Sequence, residues 1–313
     1  MAQSPGVVAR PAGAQRRSPR HKARGAGQDL IGYLLVLPFL AFFVVFQAYP
    51  VVYGVYVSLH HWNPIVGNGG WVGFRNYALL LFDHSALFSQ QFWQGMLNTV
   101  LFVFISVPFL LLIPFVVAYT IYRSPAKGLF RSLYFFPATL SATAVTSIWS
   151  WLLQTQGGEV NTILGAHIPW LVEQPWAWIS IDLVTVWWTL GFNMVILYAG
   201  MTQISTTLFD AAAIDGAGSF AMTWNITLPQ LRRVIAFVVI ISTIASFNLF
   251  AQPYLMTQGG PGFSTSPITM FIYGVGFNSF HMGTATAMAM LMAVILAAIA
   301  FAQYRFVRGG EVS

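Results

Sequence analysis

VIAFVVIISTIASFNLFAQPYLMTQGGPGFSTSPITMFIYGVGFNSFHMGTATAMAMLMAVILAAIAFAQY, residues 234–304, runs for 71 residues without one Asp, Glu, Lys or Arg. A helix needs about 20 mainly apolar residues to cross the hydrocarbon core of a bilayer, so this run holds two crossings. Its Pro/Gly-rich centre, Gln258-Gly-Gly-Pro-Gly-Phe-Ser-Thr-Ser-Pro267, is where the chain turns between them. Four further windows lack charge: Leu30 to Leu59, His84 to Tyr122, Ser132 to Gly158 and Leu183 to Phe209. The expected fold is all-α, a polytopic membrane protein with six transmembrane helices near 30–58, 95–122, 130–153, 179–202, 233–257 and 283–305.

Composition excludes the soluble classes. Charged residues are 7% of the chain, against about a quarter in a soluble globular domain. The absence of cysteine excludes disulfides, thiolate catalysis and Cys-ligated metal. The histidines, at 21, 60, 61, 84, 167 and 281, show no ligand spacing, so no metal site is expected. Every Lys and Arg except Arg75 falls before crossing 1, between 2 and 3, between 4 and 5, or after 6; that side is cytoplasmic by the positive-inside rule. Clustering beside the crossings accounts for the net charge of +6 without a nucleic-acid partner. Residues 1–29 read as a basic, disordered cytoplasmic tail. The apolar run after it is too long for a signal peptide and no small-residue cleavage site follows, so it is read as an uncleaved first helix. Residues 30–94 comprise that helix and an outer segment, and 306–313 a cytoplasmic C-terminus.

Between crossings 4 and 5 lies a stretch of different character, 204–233. It reads Phe209-Asp-Ala-Ala-Ala-Ile-Asp-Gly216, nine residues, then Ile226-Thr-Leu-Pro229. Ser205-Thr-Thr207 can cap a helix start, Asp210 suits the positive end of its dipole, and the alanines propagate it. Gly216 then permits a turn or a close backbone approach. The pattern is that of a short docking helix or of an amphipathic interfacial connector. Asp210 and Asp215, five apart, point away from each other with no His or Lys between them, so no catalytic residue is assigned. The chain also has no Gly-x-x-x-x-Gly-Lys-Ser/Thr loop with which to hold ATP.

Asp210-Ala211-Ala212, three residues, Gly216, nine residues, Ile226-x-Leu228-Pro229 resembles the EAA loop of permease subunits of type I ATP-binding-cassette importers. Asp210 replaces the usual Glu with charge kept, and Ser205 stands where the sugar subfamily usually has Pro. Tyr254-Leu-Met-Thr257-x-Gly259-Gly260-Pro261, then Ser264-Thr265 and Ile272-Tyr273, resembles the outer-loop signature of maltose- and glycerol-3-phosphate-type permeases; Phe135-Phe-Pro137 and Asn98-Thr99 are weaker echoes. The resemblance covers 95–305 and implies a type I importer transmembrane domain in the bacterial plasma membrane, both termini cytoplasmic. It implies no cofactor in this chain, ATP being used by a cytoplasmic ATPase dimer that receives Asp210, Ala211, Ala212, Asp215, Gly216, Ile226, Leu228 and Pro229. A second homologous permease and an extracytoplasmic solute-binding protein, the latter docking at Gly259, Gly260 and Pro261, complete the assembly, and the solute is a small molecule, a carbohydrate.

In related maltose-type permeases the pocket lies near mid-membrane between the equivalents of crossings 3, 4 and 5. Trp188, Asn193, Asn248, Phe250 and Gln252 are the candidates here, since aromatic faces stack on sugar C–H surfaces and amides exchange hydrogen bonds with hydroxyls. Helix packing is the competing reading of the same residues. An ion-gradient-driven secondary transporter is the rival function; the internal repeats and midplane ionisable groups it requires are not visible.

Overall fold

The computed structural model describes residues 26–309; residues 1–25, most of the tail expected at 1–29, and residues 310–313 lie outside the described residues. The chain divides into two units at Val52/Tyr53. The first contains α1 (Ala26–Phe43), a π-helical turn (Val44–Ala48) and the start of α2 (Tyr49–Ser58). From Leu34 to Val52 its side chains are exposed apart from a half-buried Ala48, although nearly all are apolar, the pattern of a helix solvated by lipid.

The second unit starts within α2 at Tyr53, and a hairpin follows, β1 (His60–Asn63) and β2 (Gly67–Trp71), that the sequence does not announce. Asn63 Oδ1 accepts from Ile65 N at 2.8 Å and Val66 N at 3.1 Å, bending the chain between them. The helices that follow are α3 (Arg75–Phe82), α4 (Leu87–Arg123), α5 (Lys127–Phe135), α6 (Ala142–Leu152), α7 (Glu159–Leu164), α8 (Trp176–Thr202), α9 (Thr206–Ile214), α10 (Ser219–Met222), α11 (Leu228–Phe247), α12 (Ile268–Tyr273) and α13 (Met282–Gly309). One core gathers Phe92, Met96, Phe247, Ile268 and Met288 from α4, α11, α12 and α13; another gathers Ala118, Met194, Leu197, Leu231 and Val238 from α4, α8 and α11.

Among the described residues five helices are long and apolar enough to cross a membrane. The other expected crossing, 130–153, is a broken one. Pro137 lacks an N–H and disfavours helix at the residue before it, and here the chain tightens into a 3-10 turn over Phe136–Thr139. Leu140 is extended, and α6 restarts with Ser141 Oγ accepting from Ala144 N. The fifth crossing, expected to 257, ends as helix at Phe247; Leu249 and Phe250 are irregular, and a π-helical turn follows over Pro253–Thr257.

The break in the third crossing is seated on α8. A Cβ on Gly191 would lie 2.4 Å from Tyr134 O and 2.5 Å from Phe135 Cα, so only glycine permits this backbone approach. Gly191→Ala is expected to lower the thermal midpoint of the detergent-solubilised protein, by an overpacking penalty of about 1–3 kcal/mol. An unchanged midpoint contradicts the close approach.

Candidate functional site

Two places collect the residues singled out by sequence. The first is the segment from Thr206 to Pro229. Ser205 occupies the N-cap position of α9, but its hydroxyl bonds the Thr207 hydroxyl at 2.7 Å and makes no cap to the backbone, contrary to the capping role expected for that cluster. The C-terminus explains the motif spacing. Gly216 has φ +77°, its N–H reaches Ala213 O at 3.1 Å, and Ala217 N–H reaches Ala212 O at 2.9 Å. This double closure by a left-handed residue is the Schellman motif, and it sets glycine four positions after Ala212.

Past Gly216 the chain makes α10 and a π-helical turn (Thr223–Thr227) that enters α11 at Leu228-Pro229. Pro229 cannot bond back into the preceding turn, and a π turn relieves that clash. Arg123, at the end of α4, donates to Ser219 Oγ at 3.2 Å, and the Thr223 and Tyr119 hydroxyls hydrogen-bond at 2.9 Å. The segment is thereby tied to α4. Asp210, Ala211, Asp215 and Gly216 are exposed, Ala212 and Ile226 half-buried. Apolar side chains are bare beside them: Ile214 is 87% exposed, Phe220 80% and Trp224 64%.

The second place is a cavity of about 400 Å³ between α4, α8 and α11. Trp188, Asn193, Asn248, Phe250 and Gln252 all line it. The break after Phe247 brings the last three to the wall, which a continuous helix would have distributed around its axis. Hydroxyls that sequence reading passed over, Thr185, Thr189, Ser242 and Ser246, complete it. They carry no pattern that distinguishes a wall from ordinary helix packing.

Asn193 has a second task. Pro114 removes the N–H that Leu110 O would accept four residues earlier in α4. Asn193 Nδ2, buried, donates to that carbonyl at 2.8 Å and to Ser242 Oγ at 3.2 Å. Both amide hydrogens are thus used between helices. Trp188 likewise donates to Leu140 O, at 3.3 Å, in the broken third crossing. Thr269 donates to Leu249 O, the carbonyl that Pro253 cannot satisfy.

The loop at Gly259, Gly260 and Pro261 is closed by its own hydrogen bonds. Thr265 Oγ1 reaches Gly260 O at 2.7 Å and Thr257 Oγ1 at 2.8 Å. Asn98 holds it to α4 by donating to Phe263 O at 2.9 Å and Ser266 O at 2.8 Å, while Thr99 Oγ1 accepts from Ile268 N at 3.0 Å. The Asn98-Thr99 pair is therefore a clamp on the loop.

A family model described as the inner membrane component of binding-protein-dependent transport systems matches residues 84–309. The chain belongs to this family. The trehalose/maltose transport system permease protein MalF of Thermococcus litoralis is 30% identical over 258 residues, covering 81% of this chain and 84% of the relative. The lactose transport system permease protein LacF of Rhizobium radiobacter is 29% identical, covering 88% and 93%. A crystal structure of a bacterial alginate ABC transporter, in complex with an alginate pentasaccharide-bound periplasmic protein, contains a chain of the same fold, with TM-score 0.78 at 22% identity over 90% of this chain and 95% of that one.

For this inner-membrane component the proline repair gives a double-mutant prediction. Asn193→Ala leaves the Leu110 carbonyl unpaired in the core and is expected to destabilise by about 1–3 kcal/mol. In a Pro114→Ala background, where α4 bonds Leu110 O itself, the same change is expected to cost measurably less by thermal unfolding in detergent. Equal costs in both backgrounds contradict the repair.

Proposed function

We propose that the chain is one half of the translocation path of an ATP-driven, binding-protein-dependent carbohydrate importer, and that 204–233 is its contact with a separate ATPase. The exposed segment itself carries this reading. A short helix closed by Gly216, with Ile214, Phe220 and Trp224 bare beside Asp210, presents an apolar patch with a charged edge. Apolar patches of that kind mark protein–protein contacts. Arg232 and Arg233 end the segment, and Arg123, from the basic stretch Arg123 to Arg131, bonds Ser219 within it, which supports placing it in the cytoplasm. Both termini then fall on that side.

Carbohydrate as the solute is supported by the chemistry of the mid-membrane cavity and by the relatives whose names specify lactose and trehalose/maltose. The wall offers aromatic faces at Trp188 and Phe250, amides at Asn248 and Gln252, and threonine and serine hydroxyls. The ATPase dimer, a second permease and an extracytoplasmic binding protein are the partners this mechanism requires. ATP and loaded binding protein must favour the same conformer of the pair for uptake to be coupled.

Proteoliposomes containing the chain, its membrane partner, the ATPase and the binding protein test the reading with labelled sugars. ATP-dependent uptake is expected, and Gly216→Trp, which puts a bulky side chain at φ +77°, is expected to abolish it without reducing membrane insertion. Normal uptake by that variant contradicts the coupling assignment. Uptake driven by an ion gradient with no ATPase contradicts the ATP-driven mechanism.

A further inference from the structure

The tyrosines of the outer signature, Tyr254 and Tyr273, are not used by the docking role given to Gly259, Gly260 and Pro261. They are 19 positions apart in sequence and meet in space, with ring centroids 5.7 Å apart and planes at 74°. Tyr254 also stacks on Phe250, centroids 4.9 Å apart and planes at 17°, and Tyr273 meets Phe250 edge-on at 5.6 Å. Phe250 is a wall residue of the mid-membrane cavity. Tyr254 and Tyr273 are wall residues of a different cavity, of about 310 Å³, beside the outer loop. A continuous set of rings therefore joins the two spaces.

The outer cavity has the same chemistry as the inner one. Gln91, Gln258, Asn278 and Ser279 stand around the tyrosines, and the Gln91 side-chain oxygen finds no hydrogen-bond partner within the described residues. Neither cavity has Lys, Arg, His, Asp or Glu in its wall. Anionic solutes are commonly met by Arg or Lys, so walls of rings, amides and hydroxyls suit a neutral polyhydroxylated ligand. Phe277 extends the series from Tyr273 at 5.3 Å, and Tyr254 and Phe277 are both exposed.

We propose that the outer cavity is a second subsite for a neutral saccharide, and that the Phe250–Tyr254–Tyr273 rings carry the solute between it and the mid-membrane cavity. This rests on the carbohydrate reading and narrows it. Glycerol phosphates and acidic saccharides are not solutes of this path, and the ring series favours solutes of two or more sugar units, which contact both ends.

The test is initial-rate uptake by the complete reconstituted transporter, with binding protein in excess, of labelled lactose, trehalose, maltotriose and glycerol 3-phosphate. Tyr254→Ala and Tyr273→Ala are expected to raise the half-saturating concentration about three- to tenfold, the value of one aromatic contact. Tyr254→Phe and Tyr273→Phe are expected to restore it, because the ring face does the binding. Asn278→Ala, at an exposed wall position where packing is untouched, is expected to raise it by a smaller factor. A lower rate at unchanged half-saturation in the Ala variants, or half-saturation unchanged in Asn278→Ala as well, overturns the subsite and leaves the carbohydrate reading standing. Uptake of glycerol 3-phosphate alone, or of none of the panel by the wild type, overturns the carbohydrate reading and the subsite with it.

Discussion

Inside a bilayer no water is available to a bare peptide group, so each backbone N–H and C=O at that depth must find a partner within the protein. Most of this chain meets the demand with unbroken helix. At Pro114 within α4 and at the two breaks the partner is a side chain: Asn193 for Leu110 O, Trp188 for Leu140 O and Thr269 for Leu249 O. Leu110 and Leu249 are the carbonyls orphaned by Pro114 and Pro253. Irregular backbone at membrane depth persists only where protein covers it or a cavity adjoins it. Residues Leu110, Trp188, Asn193 and Leu249 all line the 400 Å³ cavity, so the repairs and the cavity wall are made by one set of groups.

The long helices were legible because a charge-free window is a property of composition, and lipid tolerates no other kind of segment that long. The two breaks were not. Hydropathy does not distinguish a continuous helix from two half-helices, and the residues at 136–141 and 248–250 are as apolar as their neighbours. Pro137 gives a local sign of the first break; nothing local marks Asn248. The motif at 210–229 was readable in register because its Schellman closure is made within six residues, Ala212 to Ala217. Sequence left Asn193 open between solute contact and helix packing, because its partner at Leu110 is 83 positions away, beyond any local pattern. Asn98-Thr99 gained a physical role only when the loop at 263–268 was seen to hang from it.

α4 links these sites mechanically. Its 37 residues extend for about 55 Å at 1.5 Å per residue. Near one end Asn98 and Thr99 hold the outer loop; at the other Arg123 and Tyr119 hold α10 and the turn after it; between them Phe102 and Leu110 face the cavity. The segment at 206–229, the cavity wall and the loop at 259–268 are thus joined by one element, an arrangement that the proposed coupling between an ATPase contact and a solute path would use.

The chain contains no cysteine, so a single introduced thiol reports on one position alone. Ile214→Cys, on the exposed tip of α9, is the most direct test of the account. Reaction with a membrane-impermeant maleimide is predicted in inverted vesicles and not in intact cells, and it is predicted to be blocked when the cognate ATPase is assembled. Labelling of intact cells, or labelling in inverted vesicles that the ATPase does not diminish, would contradict the assignment of this helix as the cytoplasmic coupling contact.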